Sequence, residues 1–130
     1  MGFLKKIFEK KEVKIVDKKA VEPVRVKEIS VDELKKKIDN KEDFVLVDIR
    51  TEQELQFGNI KYKQLFIPMH ELPSRLNELD KDKEIILYCR TGNRTYGTAE
   101  YLMQLGFNNI KSLDGGIMAW KKFDDSIVSY

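Results

Sequence analysis

The sequence has few of the side chains that build metal sites and disulfides. Its 130 residues include one cysteine, Cys89, and one histidine, His70. A single cysteine excludes a disulfide within the chain, and a cysteine-based zinc site would lack its ligands. A lone histidine without a second ligand nearby does not form a metal site either. We therefore expect no metal in this protein.

The sequence also lacks a long apolar segment and a strong excess of one charge. No apolar run approaches the roughly 20 residues that span a bilayer. Near the start, Lys5 and Lys6 interrupt the apolar residues before they reach the length of a secretory signal. The formal net charge is +2, from 24 basic and 22 acidic side chains, which gives no general case for nucleic-acid binding. We expect a cytoplasmic protein that binds no nucleic acid.

Composition divides the chain into three parts. Residues 1–23 form a basic leader, whose first twenty residues hold seven lysines against three acidic side chains. We interpret residues 1–20 as a frayed, solvated leader, and the alternative is weak contact with a membrane surface through a small apolar stripe at helical spacing. Residues 24–122 carry the pattern of one domain, which is what a chain of this length supports. Residues 123–130 are interpreted as a C-terminal tail.

Strand and helix patterns alternate through the domain. Near-continuous apolar runs at 44–48 and 84–88 are typical of strands buried on both faces of a sheet. This alternation predicts an α/β fold with a mainly parallel sheet. Further strands are predicted at 24–29, 64–67 and 109–113, and helices at 30–38 with a capping box at Ser30, then at 52–57, 72–79, 95–105 and 116–120.

The chemistry is predicted in the loop Cys-Arg-Thr-Gly-Asn-Arg at residues 89–94, between a strand and a helix. Ligands of open α/β sheets bind beyond the carboxyl ends of the strands. A tight turn at Gly92 presents backbone N–H groups to an anion, the helix N-terminus adds positive potential, and Arg90 and Arg94 add two positive charges. These effects favour the thiolate of Cys89, a good nucleophile for an anionic electrophile. The alternative is an inert buried cysteine beside two solvated arginines.

Several residues are expected to support this loop. Thr91 and Asn93 complete it, and Thr95 is interpreted as the first helical residue, with its hydroxyl either on the loop or in solvent. Asp48 and Arg50 follow a buried strand and are interpreted as an architectural pair, because a buried Asp needs Arg or backbone donors.

Four groups of residues occur in a characteristic order: Val47-Asp48-Ile49-Arg50 with Glu54 and Gly58, Ile67-Pro68, Tyr88 to Arg94, and Leu113-Asp114-Gly115-Gly116 with Ala119-Trp120. Together they resemble the rhodanese-like sulfurtransferases. The resemblance covers about residues 24–122 and implies a three-layer α/β/α fold with a central, mainly parallel, five-stranded sheet. It implies that Cys89 carries the sulfur in the 89–94 cradle, and that Glu54 is the carboxylate near Arg50.

The resemblance implies a sulfur-transfer reaction through a persulfide on Cys89. A small anionic donor such as thiosulfate, a polysulfide or a low-molecular-weight persulfide supplies the sulfur. A thiol, cyanide or a protein acceptor removes it, and no cofactor is required. The segment 58–68 departs from the family pattern: Asn59 stands where histidine is usual, and residues 61–66 lack Pro-Gly-Ala and are one residue longer. Since this segment lies near the site in relatives, the resemblance leaves open the shape of the pocket rim and the substrate preference.

Two other classes of function stay open. The same fold can serve as a noncatalytic binding or regulatory module, in which Cys89 has ordinary reactivity. Related phosphatases and arsenate reductases have five residues between their Cys and Arg, whereas four residues separate Cys89 from Arg94. The shorter loop favours a sulfur atom on Cys89 over a phosphoryl or arsenyl group.

Overall fold

The computed structural model of the protein describes residues 25–130. The expectations for the basic leader therefore lie outside the described residues. Five strands form one sheet in which every pair is parallel, as the sequence predicts. They are β1 (Lys27–Ile29), β2 (Val45–Asp48), β3 (Leu65–Phe66), β4 (Ile85–Tyr88) and β5 (Ile110–Leu113), and they lie in the order β1-β5-β4-β2-β3.

Three α-helices cover the sheet: α1 (Val31–Asp39), α2 (Asn93–Gln104) and α3 (Gly116–Trp120). The capping box at Ser30 is confirmed, because the Ser30 hydroxyl accepts from the Glu33 N–H at 3.1 Å and the Glu33 carboxylate accepts from the Ser30 N–H at 3.0 Å. No helix in residues 25–130 has both the length and the apolar character needed to cross a membrane.

Alternate strand residues point to opposite faces of the sheet and build two cores. In β4, Ile85 and Leu87 pack with α2 and the 69–79 region on one face. Ile86 and Tyr88 pack with α1 and α3 on the other face. A strand that is buried on both faces needs apolar side chains at every position, which explains the continuous apolar run at 84–88. The expected three-layer α/β/α fold is confirmed.

The predicted helix over 72–79 is wrong. Two 3₁₀ turns, Met69–Ser74 and Leu76–Glu78, occupy this region, and Arg75 at φ −124° separates them. Because the first turn begins at Met69, Pro73 lies inside it rather than at its start. Proline has no N–H to donate to the carbonyl four residues earlier, so a regular α-helix through Pro73 is disfavoured. The short helix expected at 52–57 is likewise a 3₁₀ turn, Gln53–Phe57.

Residues 124–130, which we call the 124–130 segment, pack against the domain. Ile127 is 1% exposed and belongs to the core that contains α1 and α3. The N–H of Val128 donates to the carbonyl of Phe57 at 2.9 Å. The residues interpreted as a tail are therefore in contact with the turn that follows β2, close to the carboxyl end of the sheet.

Candidate active site

Cys89 follows β4 directly, at the carboxyl end of the central strand of the sheet. Its side chain is 1% exposed. The Gly92 N–H donates to the Cys89 Sγ at 3.2 Å, and the Thr95 Oγ1 lies 3.8 Å from the same sulfur. The sulfur thus lies inside the turn, in contact with a backbone donor and a hydroxyl.

Gly92 forms both the turn around the sulfur and the start of α2. Its φ of 103° and ψ of −9° lie in the left-handed region, and a Cβ at this position would lie 3.2 Å from the Leu113 carbonyl oxygen. Among the described residues, no side chain caps α2. The first-turn N–H groups of an α-helix have no partner within the helix. Because no described side chain caps those of α2, they can bind an anion.

Helix α2 begins two residues earlier than the sequence predicts. Asn93 and Arg94, expected in the loop, belong to its first turn, and Thr95 is the third helical residue. The loop proper is therefore residues 89–92, in which the side chains of Arg90 and Thr91 are exposed and Gly92 is buried. Asn93 is also exposed, while Arg94 is one-third exposed.

Thr95 lies beneath the loop and does not face solvent. Its side chain is fully buried, and its hydroxyl donates to the Gly92 carbonyl at 3.0 Å. The Ser112 Oγ on β5 is 2.6 Å from the Thr95 Oγ1 and is also buried. Because a hydroxyl carries one proton, Ser112 donates to Thr95 whenever Thr95 donates to Gly92 or to the sulfur. The two hydroxyls hold the turn against β5.

Glu54 and Arg94 form a two-point ion pair near the loop. Nη1 and Nη2 of Arg94 donate to the two carboxylate oxygens of Glu54 at 2.7 and 2.9 Å. The hydrogen bonds from Arg94 hold the pKa of Glu54 well below its usual range, against the opposing effect of burial. The same pairing raises the pKa of Arg94. Arg94 is therefore held in place, and part of its charge is balanced before any ligand binds.

The expected contact between Arg50 and the Glu54 carboxylate is wrong. Arg50 reaches Glu54 only at its backbone carbonyl, at 3.3 Å, because the carboxylate is already bound by Arg94. The carboxylate that binds Arg50 is that of Asp48, which accepts from the Arg50 Nη2 at 2.8 Å and from its Nε at 3.0 Å.

Asp48 and Arg50 form a buried pair below the turn that follows β2. Both are at most 1% exposed. Burial opposes the charge of Arg50, but the hydrogen bonds to Asp48 and Tyr130 outweigh it and hold the pKa of Arg50 above its usual value. Arg50 also donates to the Gly58 carbonyl at 2.8 Å. Within residues 25–130, the pair binds the 54–58 turn and Tyr130, and neither side chain hydrogen-bonds the 89–94 loop.

Helix α3 packs against the backbone of the loop. The N–H groups of Ile117 and Met118 donate to the carbonyls of Cys89 and Arg90 at 2.9 and 3.1 Å. Gly116, at φ 56°, permits this approach, since a Cβ there would lie 2.5 Å from the Arg90 carbonyl oxygen. The Gly-Gly sequence therefore fixes the backbone of the loop from the α3 side.

The atypical segment 58–68 is stabilised by its own hydrogen bonds. The Gln64 side-chain amide donates to the carbonyls of Ile60 and Tyr62 at 2.6 and 2.8 Å. Its oxygen accepts from the Tyr88 hydroxyl at 2.6 Å, and the Ile60 N–H donates to that hydroxyl at 3.3 Å. Burial raises the pKa of Tyr88, which keeps it a neutral donor. The longer segment is thus anchored to β4 next to Cys89.

Three residues around the loop were not predicted from the sequence: Ser112, Gly116 as the close-approach residue, and Tyr130. Ser112 was identifiable in principle, because it is a small polar residue next to Leu113 in a predicted apolar strand. Tyr130 carried no such signal, because its partners lie far away in the chain: its hydroxyl donates to the Glu54 carboxylate at 2.7 Å and accepts from the Arg50 Nη1 at 3.2 Å.

Comparisons with known proteins agree with the observed fold. The family described as "Rhodanese-like domain" matches residues 30–123. A protein from Allochromatium vinosum named "Sulfurtransferase" is 41% identical over 104 residues, which cover 80% of this chain and 96% of that protein.

Solved structures show the same similarity. A rhodanese-like domain protein from Staphylococcus aureus is 34% identical with a TM-score of 0.68, over 73% of this chain and 91% of that one. A rhodanese-related protein from Thermoplasma volcanium is 33% identical with a TM-score of 0.66, over 75% and 93% of the two chains. The chain belongs to the single-domain, rhodanese-like sulfurtransferase family.

Proposed function

We propose that this protein transfers sulfane sulfur through a persulfide on Cys89. The observation that carries the proposal is the position of the Cys89 Sγ, which accepts a hydrogen bond from the Gly92 N–H at 3.2 Å at the start of α2. A backbone donor, a helix N-terminus and nearby arginines are groups that can stabilise an anion bound at the sulfur. The family to which the chain belongs supports the same reaction class.

The first half of the reaction loads the sulfur. The Cys89 thiolate attacks the outer sulfur of thiosulfate, a new S–S bond forms, and the old S–S bond breaks with its electron pair on the departing sulfite. With a polysulfide or a low-molecular-weight persulfide as donor, a shorter polysulfide or a thiolate leaves instead. The product on the enzyme is a persulfide anion, which the Gly92 N–H and the first-turn amides of α2 stabilise.

The second half unloads the sulfur to an external acceptor. Cyanide, a thiol or a protein sulfur carrier attacks the outer sulfur of the persulfide, and the electron pair of the breaking S–S bond returns to Cys89 as thiolate. Cys89 is the only cysteine of the chain, so it cannot release the sulfur by forming a disulfide within the chain. The step uses the chain's own residues without a metal or organic cofactor.

Turnover by a serine variant tests the proposal. Cys89→Ser replaces the thiol at the end of β4 by a slightly smaller hydroxyl, which has no sulfur atom and cannot form a persulfide. We expect wild-type protein to convert thiosulfate and cyanide to thiocyanate and sulfite, and the variant to fall to the uncatalysed rate with an unchanged far-UV circular dichroism spectrum. Turnover that survives in the folded variant would rule out the mechanism. A wild-type protein inactive with thiosulfate, polysulfide and persulfide donors would instead favour the noncatalytic binding module.

We also propose that residues 1–20 bring the protein to membrane surfaces from the cytoplasm. The support is compositional, an apolar stripe flanked by lysines. Co-sedimentation with vesicles containing anionic lipid is expected for the full chain and not for a variant that lacks residues 1–20. Equal sedimentation of both would contradict the proposal.

A further inference from the structure

We propose that Tyr130 is a positioning residue for the anion-binding loop, because its ring holds the guanidinium of Arg90 at the loop. The Arg90 Cζ lies over the Tyr130 ring, 5.2 Å from the centroid. The inference rests on the proposed function in that the loop must attract an anionic sulfur donor. Tyr130 lies outside the 30–123 match to the family, so its role is additional to the proposed sulfur transfer.

Among the described residues, Arg90 is the loop arginine whose charge is not balanced by an ion pair. Two donors of Arg94 are committed to Glu54. By contrast, no carboxylate of the described residues lies within ion-pair distance of Arg90. An exposed arginine has many rotamers, so its charge acts at one place only when a contact restricts it. The Tyr130 ring provides such a contact through a cation–π interaction.

The ring itself is fixed from two sides. It stacks on Phe57 with a centroid distance of 4.4 Å and an interplanar angle of 13°. Its hydroxyl donates to the Glu54 carboxylate and accepts from Arg50, which is fully buried. Burial raises the pKa of Tyr130, so the phenol stays protonated and keeps donating to Glu54. The ring is therefore a rigid platform tied to the same carboxylate that orients Arg94.

The hydroxyl and the aromatic face of Tyr130 can be removed separately by substitution. Tyr130→Phe removes the hydroxyl but keeps an aromatic face for Arg90 and the stacking on Phe57. Tyr130→Leu keeps apolar bulk against Phe57 but has no aromatic face. Val128→Ala is a matched control in the same segment, because Val128 is 52% exposed and its hydrogen bond to Phe57 comes from the backbone.

The readout is the alkylation of Cys89 by iodoacetate, which is anionic, relative to iodoacetamide, which is neutral. Both reagents need the thiolate, so the ratio of their rates cancels the thiolate population and reports the positive potential at the sulfur. At low ionic strength we expect Tyr130→Leu to lower the ratio about two- to fivefold, the range of an exposed cation–π contact. Tyr130→Phe and Val128→Ala should stay near wild type, and Arg90→Ala should fall at least as far as Tyr130→Leu.

Equal ratios for the Phe and Leu variants, with a reduced ratio for Arg90→Ala, would overturn the role of the ring. Because alkylation requires no sulfur transfer, this result is independent of whether the proposed function holds. A second measurement covers the case in which Tyr130→Leu does not fold. In the NMR spectrum of wild type and Tyr130→Phe, ring currents should shift the Arg90 side-chain protons upfield, and unshifted protons would equally overturn the proposal.

Discussion

At the scale of single residues, Glu54 links the charged groups around the loop. Its two carboxylate oxygens accept from Arg94, and one of them also accepts from the Tyr130 hydroxyl at 2.7 Å. The guanidinium of Arg94 has five N–H donors, and two of them are used by Glu54. The remaining donors of Arg94 can still reach a ligand, while its orientation is set before binding. Glu54 therefore sets the geometry of the site and reduces its net positive charge.

Replacing Glu54 should lower stability in a pH-dependent manner. We expect Glu54→Gln to reduce the free energy of unfolding at pH 7 by roughly 1.5–3 kcal/mol, the range for hydrogen bonds to charged groups. The folded-state pKa of Glu54 lies below its unfolded value because Arg94 donates to it. Its contribution is therefore complete above the unfolded pKa of about 4.3 and is lost as the pH falls towards the folded value.

Urea unfolding at pH 7 and at pH 3 measures this effect. The difference between wild type and Glu54→Gln should shrink at the lower pH, and Glu52→Gln, at an exposed neighbouring position, should behave like wild type throughout. A difference of the same size at both pH values would show that the Glu54 carboxylate is not stabilised by its charge.

The sequence predicts the residues of the loop but not their pairing. The spacing of Cys89, Gly92 and Arg94 after an apolar strand predicts a nucleophile inside an anion-binding turn, and the structure places these residues together. Pairing of Glu54 with Arg94 was not predictable, because Arg50 is closer in the chain and carries the same charge. Which arginine binds the Glu54 carboxylate depends on distances in the folded chain, and the local sequence does not determine those distances.

At the scale of elements, the geometry of the loop depends on the close approach of α3. The carbonyls of Cys89 and Arg90 accept from the first-turn N–H groups of α3, and only a residue without a Cβ fits at Gly116. Fixing these two carbonyls orients the peptide planes of the loop on the side opposite the sulfur. The close packing of α3 against the loop backbone is therefore part of the site.

A methyl group at Gly116 should be far more costly than one at Gly97. We expect Gly116→Ala to lower the free energy of unfolding by about 2–5 kcal/mol, because alanine is strained at positive φ and its Cβ would overlap the Arg90 carbonyl. Gly97 lies within α2, and a methyl group there would have no atom of a neighbouring element within 4 Å, so Gly97→Ala should stabilise by about 0.5–1 kcal/mol.

Urea denaturation of both variants at neutral pH provides the comparison. Similar stabilities for Gly116→Ala and wild type would show that α3 does not approach the loop as closely as described. Slower alkylation of Cys89 in Gly116→Ala would further indicate that the displacement reaches the sulfur.

Elements marked by a continuous apolar run or by a capping motif were predicted best. The apolar runs that form β2 and β4 and the capping box of α1 were predicted close to their observed positions. The region 69–79 was predicted poorly because its apolar spacing is compatible with an α-helix, whereas Pro73 favours tighter turns. The start of α2 was missed by two residues, since Gly92 itself takes the N-cap position without a side-chain cap.

At the scale of the whole molecule, the sheet separates two cores, one on each face. The 124–130 segment contributes Ile127 to one core and Tyr130 to the network at Glu54 and Arg50. The alternating pattern predicts the layers of the sheet, but it contains no information on this segment, whose Tyr130 hydroxyl contacts residues 76 and 80 positions away in the chain. This is why the segment was interpreted as a tail.

Truncating Ile127 tests whether the segment belongs to the domain. Because the side chain is 1% exposed and packs against Gly58, we expect Ile127→Ala to lower the free energy of unfolding by about 2–5 kcal/mol. Val128→Ala, at an exposed neighbouring position, should change it by less than about 0.5 kcal/mol. Unfolding in urea monitored by Trp120 fluorescence measures both, and equal midpoints for the two variants would restore the tail interpretation.

The central claim is that Cys89 carries a persulfide, and intact-protein mass spectrometry tests it most directly. The protein is incubated briefly with thiosulfate or polysulfide, and its mass is compared with that of Cys89→Ser treated in the same way. We predict a gain of one sulfur atom in wild type, its removal by cyanide, and no gain in the variant. An unchanged wild-type mass with both donors, in folded protein whose Cys89 still reacts with iodoacetamide, would contradict the account.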